Sequence, residues 1–395
     1  MDWIDAGTAA ERLGVKPATL YAYVSRGVLT RRYDPDRRRS LFDPGEIEKL
    51  ARRGKPRRRP APTDIAIASS ITALGTDRPY FRGRDAVELA ASATFEAVAE
   101  WLWRADLTDS GPWRAPEEAV AAARAAQADL PAGVLPLDRL HLVVITLALR
   151  DPLRFHRDPA TVVGIARALI AGMVAALPQL SAPIGHSVAA TLWSRLSARP
   201  PAGDRELRIL GAALILLADH ELASSTFAAR VAASVHADPY AVVSCGLGVL
   251  SGPMHGGASL AVERMFAETT VPSRVPTAFD DRLRRGERIP GAGHAVYRAG
   301  DARGTYLVDA IREIAPDHPA VAVAEAISTE LRIRRLPAIN SDFGLGVLAT
   351  VFDMVPGAGE TVFAVARTAG WLAHALEEYE SGTLIRPRTV TPKGL

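Results

Sequence analysis

One cysteine, Cys245, stands among 395 residues. No disulfide can close within the chain, and a lone thiol fits a reducing compartment. Its neighbours are apolar, so Cys245 is expected to be a core thiol. Aromatic residues are scarce at 6%. Alanine, leucine and arginine are plentiful, a mix that favours helices. No stretch reaches roughly 18 uninterrupted apolar residues, the sequence sign of a membrane span. Met1-Asp2-Trp3-Ile4-Asp5 lacks a basic region followed by an apolar one. No secretory leader and no membrane are therefore expected, and the protein is expected in the cytoplasm. A Gly-x-Gly-x-x-Gly turn between strand and helix is missing, which argues against a Rossmann domain. There is no His-x-x-x-His pair or clustered cysteine, so no metal site is expected.

What is present is ample apolar material and an uneven charge. Hydrophobic residues make up 48% of a chain too long for one ordinary core, so two or three domains are expected. Residues 1–62 hold 15 Lys/Arg against 8 Asp/Glu, net +7. The remainder holds 32 against 36, net −4. A basic module attached to a mildly acidic body points to nucleic acid as a partner of the module.

Residues 3–53 read as that module. Thr8 and Glu11 form a capping-box pattern ahead of Ala9, Ala10 and Leu13, and Gly14 ends the short helix. Pro17 sits in the first turn of a second helix that Gly27 ends. Tyr33-Asp34-Pro35-Asp36 makes a turn between two short β-like runs, and Asp43 or Pro44 opens a third helix with Ile47 and Leu50. This spacing resembles the winged helix-turn-helix of MerR and excisionase-type proteins. The resemblance implies that the second helix enters the major groove of duplex DNA. Lys16, Thr19, Tyr21, Tyr23 and Arg26 would face DNA, and Arg37, Arg38 and Arg39 would touch phosphates. Such modules also serve as protein-contact domains. Residues 54–62 are a basic, proline-rich linker, extended by like charge.

From residue 63 onward the pattern is that of amphipathic helices almost throughout, as in 86–102, 115–130, 140–149, 162–177, 188–196 and 205–217. Six of the nine histidines (His141, His156, His186, His236, His318 and His374) lie in segments with no supporting motif, and a structural role or exposure is expected for each.

The other three belong to recognisable strings. In Asp219-His220-Glu221 the flanking carboxylates would raise the pKa of the imidazole and favour a cation able to bind a carboxylate. In Pro253-Met254-His255-Gly256-Gly257-Ala258 the glycines admit a ligand close to the backbone. A following helix start would keep His255 neutral, able to donate to a carbonyl oxygen. Pro290-Gly291-Ala292-Gly293-His294 is a glycine-rich loop, with Arg303 nine residues after its histidine. Asn340-Ser341-Asp342-Phe343 opens a helix, where Asp342 alone would pass for an N-cap. Arg303, Arg367 and Arg386 come from separate segments and suit bidentate grip of a dicarboxylate. Two imidazoles and a carboxylate form a set suited to enolising a carbon acid and adding it to a carbonyl.

In order and spacing these strings resemble the citrate synthase signature over residues 63–388. The resemblance implies an all-α fold, citrate synthase-like, with a large domain of 63–257 plus 354–395 and a small domain of 258–353. It implies condensation of acetyl-CoA with oxaloacetate to citrate and CoA in a homodimer with shared active sites. His255, His294 and Asp342 would be catalytic. His220, Arg303, Arg367 and Arg386 would bind oxaloacetate, Arg386 coming from the partner subunit. Arg288, Ile289, Pro290, Gly291, Ala292 and Gly293 would form the loop against the CoA adenine. No permanently bound cofactor is implied, since acetyl-CoA or another short acyl-CoA is a substrate. Departures occur at Ala223, Ala302 and Thr391, where the family often has Asn, Pro and Tyr. Two other readings stand beside this one: a 2-methylcitrate synthase using propionyl-CoA, and a DNA-binding regulator using the fold as a metabolite sensor.

Overall fold

The computed structural model describes residues 3–13, 15, 17–25, 27–34, 39–52, 67–108 and 111–387. They fall into two compact units, Met1–Ala68 and Ser69–Leu395.

The first unit runs β1 (Ile4–Asp5), α1 (Ala6–Leu13), α2 (Pro17–Ser25), β2 (Arg31–Asp34), β3 (Arg39–Phe42) and α3 (Pro44–Arg52). The strands form an antiparallel sheet in the order β1-β3-β2, with Ile4 and Arg31 both paired to Phe42. Asp5 starts α1, its Oδ1 accepting the Thr8 amide at 2.9 Å. Thr8 thus lies inside the helix instead of capping it: Asp5 is the stronger acceptor and comes first in the chain. Gly27, at φ +70°, follows α2. Ala9, Leu20, Leu29, Phe42 and Ile47 are buried as a small core. Tyr23, expected to face outward, packs against this core, while Tyr21 remains 41% exposed with its ring edge toward Phe42. Thr19 is half-buried. Arg39 Nη1 approaches Asp5 Oδ2 at 3.7 Å on the open surface. Gly14, Lys16, Arg26, Arg37, Arg38 and the turn at 35–36 lie outside the described residues.

The second unit does not begin with helices. Three strands, β4 (Thr72–Leu74), β5 (Pro79–Phe81) and β6 (Arg84–Asp85), pair antiparallel in chain order. This corrects the all-helical expectation. Strands of two or three residues are too short to show an alternating pattern, and their turns are all the sequence displays. Helices then follow: α4 (Ala86–Ser92), α5 (Phe95–Arg104), α6 (Glu117–Ala125), α7 (Pro136–Ala148), α8 (Pro159–Ala176), α9 (Val188–Leu196), α10 (Asp204–Leu217), α11 (Ser224–Ser234) and α12 (Pro239–Leu250). Beyond them come α13 (Ala258–Glu268), α14 (Val275–Arg284), α15 (Ala302–Ile314), α16 (Pro319–Ile333), α17 (Ser341–Val351) and α18 (Ala358–Ser381). The single apolar stripe at 86–102 is two helices, because Thr94 turns its hydroxyl to the Ala97 amide and restarts the chain.

The long α18 is buried along most of its length against α5, α8, α10, α11 and α12. Trp371 is fully enclosed, and α12 passes so close that a Cβ at Gly246 would meet its ring at 2.5 Å. Truncating a buried tryptophan of this kind costs about 3–5 kcal/mol. Helix α8 has the length and composition to cross a membrane, yet most of it is buried and its Arg167 pairs with the enclosed Glu100. It is a core helix. Cys245, expected inside, is exposed. The apolar α12 buries Val242, Val243, Gly246 and Leu247 and turns Cys245 to the other side, and composition alone could not tell the two faces apart.

Candidate active site

Six chain segments converge on one region of the second unit. The first follows α10. Glu221 turns the chain at φ +51°, and the Asp219 carboxylate accepts the Glu221 amide at 3.2 Å. His220 is thereby driven inward to 9% exposure. Burial, then Arg303, Arg367 and His294, hold its pKa well below the usual imidazole value. The expected cation is therefore wrong. Asp219 is turned toward His374 and Glu221 points to solvent, so neither carboxylate stabilises a charge on His220.

His294 sits on the glycine-rich loop. Its ring centroid is 5.1 Å from that of His220 and stacks on Tyr297 at 4.7 Å. Its Nδ1 accepts the amides of Val296 and Tyr297 at 3.1 and 3.2 Å. An accepting Nδ1 places the neutral ring's proton on Nε2. Arg303 Nη2 lies 3.4 Å from that nitrogen, and with both atoms carrying hydrogen this is a close approach and no bond. Burial and then Arg303 lower the His294 pKa, against Asp301. The ring is a neutral Nε2–H donor.

The loop itself is locked to the chain entering α17. Asn340 donates its backbone amide to Gly291 O at 2.9 Å and its side-chain amide to Gly293 O at 2.8 Å. Gly293 donates to Ala338 O at 2.8 Å. Gly291, at φ +72°, lies against Phe343 so closely that a Cβ would come within 2.7 Å. Ile289 and Gly291 are buried, Arg288 is exposed, and Pro290, Ala292 and Gly293 lie between these extremes.

Arg303, in the first turn of α15, is buried and gripped by Asp301 through two bonds of 2.9 Å. Asn340, and not Asp342, caps α17. Asp342 is left in the first turn with its Oδ1 enclosed and without a hydrogen-bond partner among the described residues. Burial raises its pKa to about 7, with Asp301 adding to the rise and Arg303 opposing it. A carboxyl group poised near neutrality is what a general base needs.

His255 lies in the turn before α13. Its Nε2 meets the Ser225 hydroxyl at 2.8 Å, and its ring stands edge-on to Phe363 at 5.5 Å. Burial first, then Arg367, lower its pKa to about 4. Both causes favour the neutral ring that the sequence led us to expect. One turn past Phe363 on α18, Arg367 donates Nε to Leu217 O at 2.8 Å, while its buried Nη1 has no partner among the described residues. His220 Nε2 and the Tyr297 hydroxyl are likewise enclosed and without a partner among the described residues. Polar atoms buried without partners cost stability unless a polar ligand meets them.

Arg386 does not join this group within the chain. It is exposed on the tail, whose Ile385 amide is held by the Ser234 hydroxyl at 3.2 Å. Tyr297, Ser225, Phe363, Asp301 and His374 were not singled out for roles from the sequence. Asp301 carried a signal, a capping carboxylate two residues before an arginine, whereas the others lie in runs with none.

The family model for the citrate synthase C-terminal domain matches residues 63–388. Citrate synthase 2 of Bacillus subtilis is 28% identical, over 82% of this chain and 92% of that protein. 2-Methylcitrate synthase 2 of Corynebacterium glutamicum is 26% identical, over 79% and 88%. The structure of citrate synthase from Thermoplasma acidophilum with carboxymethyl coenzyme A and oxaloacetate superposes with a TM-score of 0.71. It covers 84% of this chain and 95% of that one at 23% identity, a likeness of fold.

Proposed function

The chain belongs to the citrate synthase family and is a condensing enzyme, an acyltransferase, and from that premise we propose how its residues divide the reaction. Asp342 takes a proton from the methyl group of acetyl-CoA while His255 donates to the thioester oxygen, which becomes the enol oxygen. The enol carbon then attacks the ketone carbon of oxaloacetate. That carbonyl opens to an alkoxide, which takes a proton from Nε2 of His294. Water cleaves the resulting thioester and releases citrate and CoA. His220, Arg303 and Arg367 hold the oxaloacetate, and the loop at 288–293 receives the CoA adenine. No permanently bound cofactor takes part.

The observation that carries this reading is Asp342: a carboxyl with its Oδ1 enclosed and without a hydrogen-bond partner among the described residues, raised to about 7 by burial and facing the buried Arg303. Preorganised donors in a dry site stabilise the charge that develops on oxygen.

We further propose that 63–257 with 354–395 and 258–353 act as two lobes that close on substrate, and that two copies pair. Ile145, Leu149, Leu153 and Phe155 are exposed apolar side chains on and just after α7, which supports a face for a second copy there. In that pair the exposed Arg386 is proposed to enter the partner's site. The first unit is proposed to bind duplex DNA. Its exposed β2 arginines, Arg31 and Arg32, and the exposed Tyr21 support this.

A second reading of the substrate is favoured by the 2-methylcitrate synthase among its relatives. One added methylene is worth only about 1–3 kcal/mol of discrimination. Incubation with oxaloacetate and either acetyl-CoA or propionyl-CoA, with the product identified by mass, separates the two. Faster citrate formation supports the first reading and faster 2-methylcitrate formation the second. Loss of turnover with both, in a protein that binds oxaloacetate, supports a sensor.

A further inference from the structure

A buried ionic chain leads from the surface to the back of this site. Glu377 accepts the amide and hydroxyl of Ser70 at 2.8 Å through Oε1 and Arg230 Nη1 at 2.9 Å through Oε2. Arg230, itself enclosed, also donates Nε to Glu378 and approaches His374 Nδ1 with Nη1 at 2.8 Å. Arginine can only donate, so Nδ1 of His374 accepts and the neutral ring carries its proton on Nε2. That nitrogen lies 3.3 Å from Asp219 Oδ2. His374 and Asp219 are both completely buried.

Asp219 is placed to act on the site in two ways. The same Oδ2 accepts the Glu221 amide, closing the turn that carries His220. Helix α18 crosses over it at Gly370, where an added Cβ would come within 2.4 Å of Asp219 Oδ1 and Ala218 O. Asp219 is also the carboxylate whose charge most favours the cationic form of Arg367. The carboxylate therefore touches the His220 turn and faces the helix that bears Arg367.

We propose that His374 is a positioning residue for the oxaloacetate site. It donates Nε2–H to Asp219 and so fixes that carboxylate where it closes the His220 turn and balances the Arg367 charge. The proposal rests on the assignment of His220 and Arg367 to oxaloacetate binding. Arg230 sets the tautomer, and Glu377 and Glu378 hold Arg230.

The test uses the full chain with two substitutions. In His374→Gln the amide nitrogen can take the Nε2 position and donate; in His374→Leu nothing can. His374→Leu should raise the oxaloacetate KM by about tenfold or more, the scale of one lost charge-assisted hydrogen bond, and leave the acyl-CoA KM within about twofold. His374→Gln should return the oxaloacetate KM to within about threefold of wild type. A folded His374→Leu protein with unchanged oxaloacetate KM overturns the proposal. So does an equal shift of kcat and both KM values in the two variants. If His374→Leu does not fold, Asp219→Asn, which keeps shape and removes charge, carries the same expectation and the same refutation. Should wild type turn over neither acyl-CoA, the catalytic reading fails separately. Oxaloacetate affinity by calorimetry, weaker in His374→Leu or equal to wild type, then decides the positioning role.

Discussion

Asp301 grips Arg303 through two hydrogen bonds of 2.9 Å, and the same carboxylate accepts the amides of Arg303 and Ser341 at 3.1 Å. One buried carboxylate thus caps α15, orients a guanidinium and ties α15 to the start of α17. Removing one partner of a buried pair leaves the other charge uncompensated, at about 3–5 kcal/mol. Asp301→Asn should lower unfolding free energy on that scale. It should also weaken oxaloacetate binding more than acyl-CoA binding, as denaturant titration and steady-state KM values would read.

Asp342 should make stability depend on pH. Its folded pKa, about 7, lies above the unfolded value of 3.8. The stabilising contribution of the protonated form is complete below the unfolded value and is lost as pH rises through about 7. Asp342→Asn should therefore match wild type near pH 4 and be more stable at pH 8, on the order of a few kcal/mol. Thermal melts across this range read the difference, and parallel curves would refute the raised pKa. Activity should run the opposite way in wild type, rising with deprotonation as pH passes through about 7.

The sequence displayed the site better than its surroundings. Strings around His220, His255, His294, Arg303 and Asp342 were visible because glycines, capping residues and proton-handling side chains cluster locally. Their convergence depends on long-range packing, as where Gly304 lets α15 approach the Asn340 carbonyl so closely that a Cβ would clash. The charge of His220 was misread because sequence neighbours are not spatial ones: Asp219 turns to His374, while Arg303 and Arg367 arrive from far along the chain. His374 gave no sign of its role, since an apolar helix hides which of its residues meet Arg230.

Arg386→Ala should weaken oxaloacetate binding although Arg386 is exposed on its own chain. Mixing Arg386→Ala subunits with His294→Ala subunits should restore part of the activity, because one hybrid site then carries neither lesion. No recovery, with subunit exchange verified, would count against a shared site.

If the first unit binds duplex DNA, its affinity should fall steeply with salt, with a log–log slope near −0.9 per neutralised phosphate. Changing Arg31 and Arg32 to Ala should flatten that slope and weaken all sequences alike, whereas changing Tyr21 should alter sequence preference. Deleting residues 1–62 should leave synthase activity in place. Absence of DNA binding even at low salt would favour a protein-contact role.

The central claim is that Asp342 is the base that enolises the acyl-CoA. Thiol release with acetyl-CoA and oxaloacetate, compared between wild type and Asp342→Asn, tests it most directly. The account predicts at least about a hundredfold slower release in the variant, the scale of general-base loss, with oxaloacetate affinity by calorimetry nearly unchanged. Near-normal release from a folded Asp342→Asn protein would contradict it.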